Sequence, residues 1–121
     1  MSILCIDNSE TIRKVVKDCV QDLGFEFFEA ENGKMGLEVA QNIDSLELII
    51  LDWNMPVMSG RETLYNLREL NKKVKILVLI KFEKKDSVME AVDMGATNYM
   101  LKPFRVNDLQ DKIKEVIENA V

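Results

Sequence analysis

Apolar positions along this chain keep two rhythms, and the rhythms take turns. Ser2 to Ile6 is a short apolar run and reads as a strand. Ile12, Val15, Val16, Cys19, Val20 and Leu23 then recur at helical spacing, with Ser9 placed to cap the helix and Gly24 to close it. Phe25 to Ala30 reads as a second strand, and residues 33 to 43 as a second helix with a weaker pattern of Met35, Leu37, Val39 and Ala40. Leu46 to Leu51 is a third strand. Gly60 to Leu70 is a third helix carrying Leu64, Leu67 and Leu70. Val74 to Ile80 is a fourth strand, Asp86 to Met94 a fourth helix stopped by Gly95, and Asn98 to Leu101 a short fifth strand. Val106 to Ala120, with Leu109, Ile113, Val116 and Ile117, is the last helix.

Strand and helix alternate from end to end with no linker, repeat or low-complexity segment, so residues 1 to 121 are expected to form one domain. Such alternation builds an α/β fold, a mostly parallel sheet with helices on both faces. Leu46 to Leu51 and Ile76 to Ile80 are continuous apolar runs, as strands covered on both faces should be. The expected architecture is doubly wound and five-stranded, of flavodoxin-like order 2-1-3-4-5, with a crevice where strands one and three end. Strand one ends in Asp7-Asn8 and strand three in Asp52. Strand four ends at Ile80-Lys81, and strand five at Lys102-Pro103, on the same rim. Two carboxylates would therefore meet beside a lysine. Close carboxylates raise each other's pKa unless something positive sits between them, and a hard, oxygen-ligated dication such as Mg2+ suits that place. Strand-end acids can instead merely solvate the rim, and only the coincidence of Asp7, Asp52 and Lys102 argues for a site.

Composition narrows the chemistry. A net charge of -5 opposes nonspecific nucleic-acid binding. The first residues lack the basic and apolar regions of a signal peptide, and no apolar run is long enough to span a membrane. Cys5 and Cys19 fit neither a disulfide framework nor a zinc spacing and read as buried, reduced thiols, which fits a cytoplasmic protein. There is no histidine, so an imidazole base and a Ser-His-Asp triad are excluded.

The motifs ILCIDNS at 3 to 9, LDWNMPVMSG at 51 to 60 and GATNYMLKPF at 95 to 104 identify the family that the chain resembles. It resembles a response-regulator receiver domain of the stand-alone, chemotaxis (CheY-like) type, over its whole length and with no output domain. The resemblance implies a two-component phosphorelay in which Asp52 accepts a phosphoryl group from a histidine kinase's phosphohistidine. It implies that Lys102 contacts the phosphoryl oxygens and that the Lys102-Pro103 bond is cis. Mg2+ would be held by Asp7, Asn8, Asp52 and the Asn54 main-chain carbonyl. Tyr99 would lie on a signalling face of helix 4, strand 5 and helix 5 that binds a downstream protein. The protein would be a cytoplasmic monomer with no nucleic-acid or membrane partner. It would not be an enzyme beyond assisting its own phosphoryl transfer and phosphoaspartate hydrolysis. A carboxylate nucleophile, a metal and a lysine are chemically suited to this.

Two positions depart from the family pattern. The second acid after strand one is Asn8, which removes a charge and is expected to weaken Mg2+ binding. The Ser or Thr that ends strand four and couples the site to the aromatic switch is Ile80, which has no hydroxyl. Lys81 and Phe82 follow, and Lys81 either reaches the phosphoryl oxygens or points to solvent. Trp53 reads equally as a partly exposed rim aromatic or a docking residue, and the run Lys81 to Asp86 as a solvated loop or a partner-binding edge. Three readings remain open. The first is a phosphorylatable receiver. The second is a pseudo-receiver interaction module of the same fold that no longer depends on phosphorylation. The third is a flavodoxin-like redox protein, for which the acidic Asp7-Asn8-Ser9-Glu10 turn is a poor phosphate cradle.

Overall fold

A computed structural model describes residues 1–71 and 73–118. Its elements in order are β1 (Ser2–Ile6), α1 (Glu10–Asp22), β2 (Glu26–Ala30), α2 (Gly33–Gln41), β3 (Leu46–Asp52), α3 (Gly60–Leu70), β4 (Lys75–Lys81), α4 (Val88–Asp93), β5 (Asn98–Lys102) and α5 (Val106–Glu118). A 3-10 segment, Phe82–Ser87, lies between β4 and α4. All strand pairs are parallel, and the order is β2-β1-β3-β4-β5.

Strand alternation divides the core in two. Leu4, Ile6, Ile49, Leu51, Ile76, Val78 and Ile80 form one layer with Leu64, Leu67 and Ala91 of α3 and α4. Ile3, Cys5, Leu48, Ile50, Leu77 and Leu79 form the other with Val16, Cys19 and Val20 of α1 and Leu109, Ile113 and Val116 of α5. Side chains two apart share a face of a strand, so both faces of β1, β3 and β4 are apolar and both are covered. Each fully buried Ile or Leu contributes about 1.5–3 kcal/mol of transfer free energy. Cys5 and Cys19 are buried free thiols, and burial pushes the Cys5 thiol well up and away from reactivity.

The helix starts follow capping chemistry. Ser9 Oγ accepts the Ile12 N–H at 3.2 Å, Asn32 Oδ1 the Met35 N–H at 2.8 Å, and Ser59 Oγ the Glu62 N–H at 3.1 Å. Gly24 and Gly95, at φ 87° and 109°, close α1 and α4 in left-handed backbone. Arg68 staples two loops: Nε and Nη2 donate to the Gly95 carbonyl at 2.9 and 2.7 Å, and Nη1 to the Val74 carbonyl at 2.7 Å.

The boundaries either match the sequence reading, as at both ends of β1 and α3, or differ from it by one or two residues. The substantial correction is α4. It begins at Val88, not Asp86, because residues 82–87 form the 3-10 segment with a non-helical Lys84 inside it. That segment buries no side chain, so no apolar face draws it into α-helical register. The second helix ends at Gln41, short of residue 43, and the expected end of α5 at Ala120 lies outside the described residues.

Candidate functional site

β1 and β3 are register partners up to Ile6 and Leu51, so the next residue of each, Asp7 and Asp52, emerges at the carboxyl edge of the sheet. β5 brings Lys102 to the same edge opposite Lys81. Lys102 Nζ lies 3.0 Å from Asp7 Oδ2 and 3.3 Å from Asp52 Oδ1. Asp7 is 0% exposed and Asp52 2%. The buried β3 run delivers an acid to its own end because that acid meets a second one across a shared ammonium. The Lys102-Pro103 peptide is cis.

Two carboxylates against one ammonium leave one negative charge uncompensated. Burial, then the neighbouring Asp52 charge, pushes the Asp7 carboxyl above its ordinary value, while the Ser9 N–H at 2.8 Å and Lys102 pull it down. A further positive group at this point would relieve the imbalance, and oxygen donors suit a hard dication. Among the described residues no group of three or more His, Cys, Asp or Glu side chains gathers as a metal cluster. Two acids are what this edge supplies, and the remaining donors to an ion here would be amide, main-chain or water oxygens. On that donor chemistry the residues fit Mg2+.

The other expected site residues fall as follows. Asn8 is exposed, one residue beyond Asp7. The Asn54 N–H donates to Asp52 Oδ1 at 3.2 Å, and Asn54 Oδ1 accepts the Lys81 N–H at 3.2 Å, so Asn54 bridges the ends of β3 and β4. Ile80 is 0% exposed and belongs to the core layer beneath α4. Lys81 is exposed and, with Ile12, Val15, Lys102, Pro103 and Phe104, lines a cleft of about 410 Å³ beside the acid pair. Tyr99 is exposed as the second residue of β5, and Phe82 is exposed with Lys85 Nζ 4.7 Å from its ring centre. Trp53 corrects both sequence readings. It is 6% exposed and packs in the core, its carbonyl accepting the Gly60 N–H at 3.0 Å. A Cβ at Gly60 would stand 2.4 Å from Trp53 Cα and 2.5 Å from the Asp52 carbonyl oxygen, so only glycine lets α3 start this close to the acid.

Arg13 is a participant that the periodicity passed over as a polar position on α1. Its Nη1 donates to the Asp7 main-chain carbonyl at 2.7 Å, and its Nε pairs with Glu29 Oε1 at 2.7 Å. A signal was present: a cation so near a helix N-terminus opposes the helix dipole and calls for a local reason.

Three comparisons bear on this arrangement. The sequence profile of the response regulator receiver domain matches residues 3–114. The chemotaxis protein CheY-3 of Vibrio cholerae is 34% identical over 121 residues, covering 98% of this chain and 92% of that protein. The chemotaxis protein CheY of Pseudomonas aeruginosa is 33% identical over 123 residues, covering 99% and 98%. The solved structure of the chemotaxis response regulator CheY4 of Vibrio cholerae superposes with a TM-score of 0.86 at 34% identity, covering 95% of this chain and 97% of that one.

Proposed function

The chain belongs to the response regulator receiver family, in its CheY type, and we propose that Asp52 accepts a phosphoryl group from the phosphohistidine of a histidine kinase. The observation that carries this reading is the shared contact of Lys102 Nζ with Asp7 and Asp52 at a buried strand edge. In the transfer, an Asp52 carboxylate oxygen attacks phosphorus as the bond from phosphorus to the donor's imidazole nitrogen breaks. The donor ring, protonated on its other nitrogen, takes back the electron pair of that bond and leaves as neutral imidazole, and Asp52 becomes an acyl phosphate. Lys102 is placed to neutralise charge on the transferred oxygens, and Asp7 holds its ammonium in position. Asp7, Asn8, Asp52 and the Asn54 carbonyl are the residues that would hold Mg2+, which would supply further charge neutralisation when bound. The signal would leave by protein contact across α4, β5 and α5, where Met89, Val92, Tyr99 and Val106 are exposed. We place the protein in the cytoplasm, as a monomer, in a chemotaxis-type pathway. No helix among the described residues is long and apolar enough to cross a membrane.

Incubation with acetyl phosphate and Mg2+, followed by intact mass, tests this. One added phosphoryl mass that disappears in Asp52→Asn is expected, and a modification that survives Asp52→Asn overturns the assignment. A second reading, an interaction module that works without phosphorylation, is favoured by the uncharged Asn8 and the hydroxyl-free Ile80. It requires the untreated protein, and Asp52→Asn, to bind the downstream partner as well as the treated protein does.

A further inference from the structure

We propose that Arg13 is a positioning residue for the metal side of the site, acting through the Asp7 main chain. The proposal rests on the Mg2+ reading above. β1 and β2 pair up to Ile6 and Ala30, and the Asp7 N–H donates the last ladder bond, to the Ala30 carbonyl at 3.1 Å. Beyond that point β2 has ended, and the Asp7 carbonyl has no strand to accept from. Arg13 Nη1 takes that place at 2.7 Å. The guanidinium is itself fixed, because Nε is held by Glu29 at 2.7 Å and the side chain is 13% exposed.

The Asp7–Ser9 turn is therefore tied at three points. Its N–H is held by β2, its carbonyl by Arg13, and its side chain by Lys102 and by the Ser9 N–H at 2.8 Å. The carbonyl tie sets the peptide plane that leads into Asn8. That plane matters more in this chain than it would with an acid at position 8. A charged ligand is drawn to a dication over several ångström, whereas an amide oxygen contributes only when it already points at the ion. Arg13 compensates in geometry for what Asn8 lacks in charge. An arginine suits the task because its planar fork reaches two partners at a fixed angle, which a lysine cannot do.

Geometry and charge make opposite forecasts, so the role can be tested. If Arg13 were only a nearby cation, replacing it with a neutral residue would tighten Mg2+ binding by removing repulsion and freeing the Glu29 charge. If it positions the turn, the same replacement weakens binding despite the more favourable field. Isothermal titration of Mg2+ into wild type, Arg13→Gln and Arg13→Lys decides between them. About tenfold weaker binding is expected in Arg13→Gln, the size typical of a lost partner one shell out from a metal. Arg13→Lys keeps the charge and serves if Arg13→Gln folds poorly; it too should bind more weakly than wild type.

A metal-free readout accompanies this. Exchange of the Ser9 amide, which Asp7 Oδ1 holds, should speed up in both variants while distant amides of β3 and β4 keep their protection. Unchanged or tighter Mg2+ binding in Arg13→Gln overturns the proposal, as does unchanged Ser9 exchange. A wild type that takes up no Mg2+ overturns the metal reading itself, and this role with it. A wild type that binds, alongside variants that bind equally well, overturns the Arg13 role alone.

Discussion

Ile80→Thr restores the hydroxyl that the family pattern places at the end of β4, and its cost can be worked from the packing. Ile80 is 0% exposed, in a layer with Trp53, Met55, Leu64 and Ala91. Threonine lacks the terminal methyl and exchanges a second carbon for oxygen. Losing about two buried carbons at about 0.8 kcal/mol each gives roughly 1.6 kcal/mol. Burying a hydroxyl without a partner adds about 1–3 kcal/mol. The unmodified variant should therefore be less stable than wild type by about 2.5–4.5 kcal/mol. On phosphorylation the hydroxyl gains a charged acceptor, and a hydrogen bond to a charged group is worth about 1.5–3 kcal/mol. The stabilisation given by beryllofluoride with Mg2+ should then be larger in Ile80→Thr than in wild type by about 2 kcal/mol. Urea melts of both proteins with and without the mimic close this cycle. A shift of Tyr99 resonances that grows in the variant would show that the extra energy reaches the surface. A destabilisation below about 1 kcal/mol would refute the packing, and equal increments with the mimic would refute the idea that the missing hydroxyl limits the switch.

Three further outcomes are expected. Asn8→Asp should tighten Mg2+ binding: a unit charge about 5 Å from a dication gains about 1.7 kcal/mol in a water-like dielectric, and the exposure of Asn8 places it near that limit, so roughly 15-fold is expected by titration calorimetry. Val57 is fully exposed at φ 68°, a conformation that costs a β-branched residue about 1–2 kcal/mol, so Val57→Asn should stabilise the protein by about 1 kcal/mol in urea melts. The Asp7 carboxyl is raised by burial and by Asp52, so the folded chain holds that proton more tightly than the unfolded one. The resulting stability is present below the unfolded value near 4 and is lost as pH rises through the folded value. In EDTA, Asp7→Asn should therefore gain on wild type as pH rises from about 4 towards 7, and a gap that does not change with pH would contradict the assigned cause.

The strands were legible because each buried strand here is a continuous apolar run, and their order because 2-1-3-4-5 is a common arrangement for five alternating strand-helix units. Asp7 and Asp52 were legible for the same reason, since each is the first polar residue after such a run, whereas Lys102 ends the half-buried β5 and was singled out by the rim it shares with them. What stayed hidden was set by tertiary context. Trp53 looks like a rim residue beside a polar turn, yet the close approach of Gly60 folds α3 over it. Residues 82–87 carry a helix-like composition but no apolar face, and the backbone settled into a 3-10 path that propensity alone does not foretell. Arg13 sits on the polar side of an amphipathic helix, where periodicity treats every charged residue as solvent-facing. Its two partners lie just past the end of β1 and on β2, which no local pattern connects.

The two departures from the family pattern act on different parts of the mechanism. Asn8 changes the charge available to an ion, while the Lys102 contacts with Asp7 and Asp52 do not involve it. Ile80 changes the link from the site to α4, while its side chain stands in the apolar layer and leaves the acid pair as it is. Under the proposed function, acceptance of a phosphoryl group and transmission of its effect would thus be separable here. The Asn54 bridge from Asp52 to the Lys81 N–H remains as a direct connection between the acid and the start of the 3-10 segment. On the proposed transfer, a phosphoryl group on Asp52 would compete for the Asn54 N–H that the carboxylate now accepts, and the bridge would rearrange even where the hydroxyl is missing. On this argument, chemical-shift changes on adding beryllofluoride to wild type should concentrate at Asn54 and residues 81–87 and fade before Tyr99. In Ile80→Thr they should extend to Tyr99. A wild-type response that is as large at Tyr99 as at Lys81 would place the coupling elsewhere.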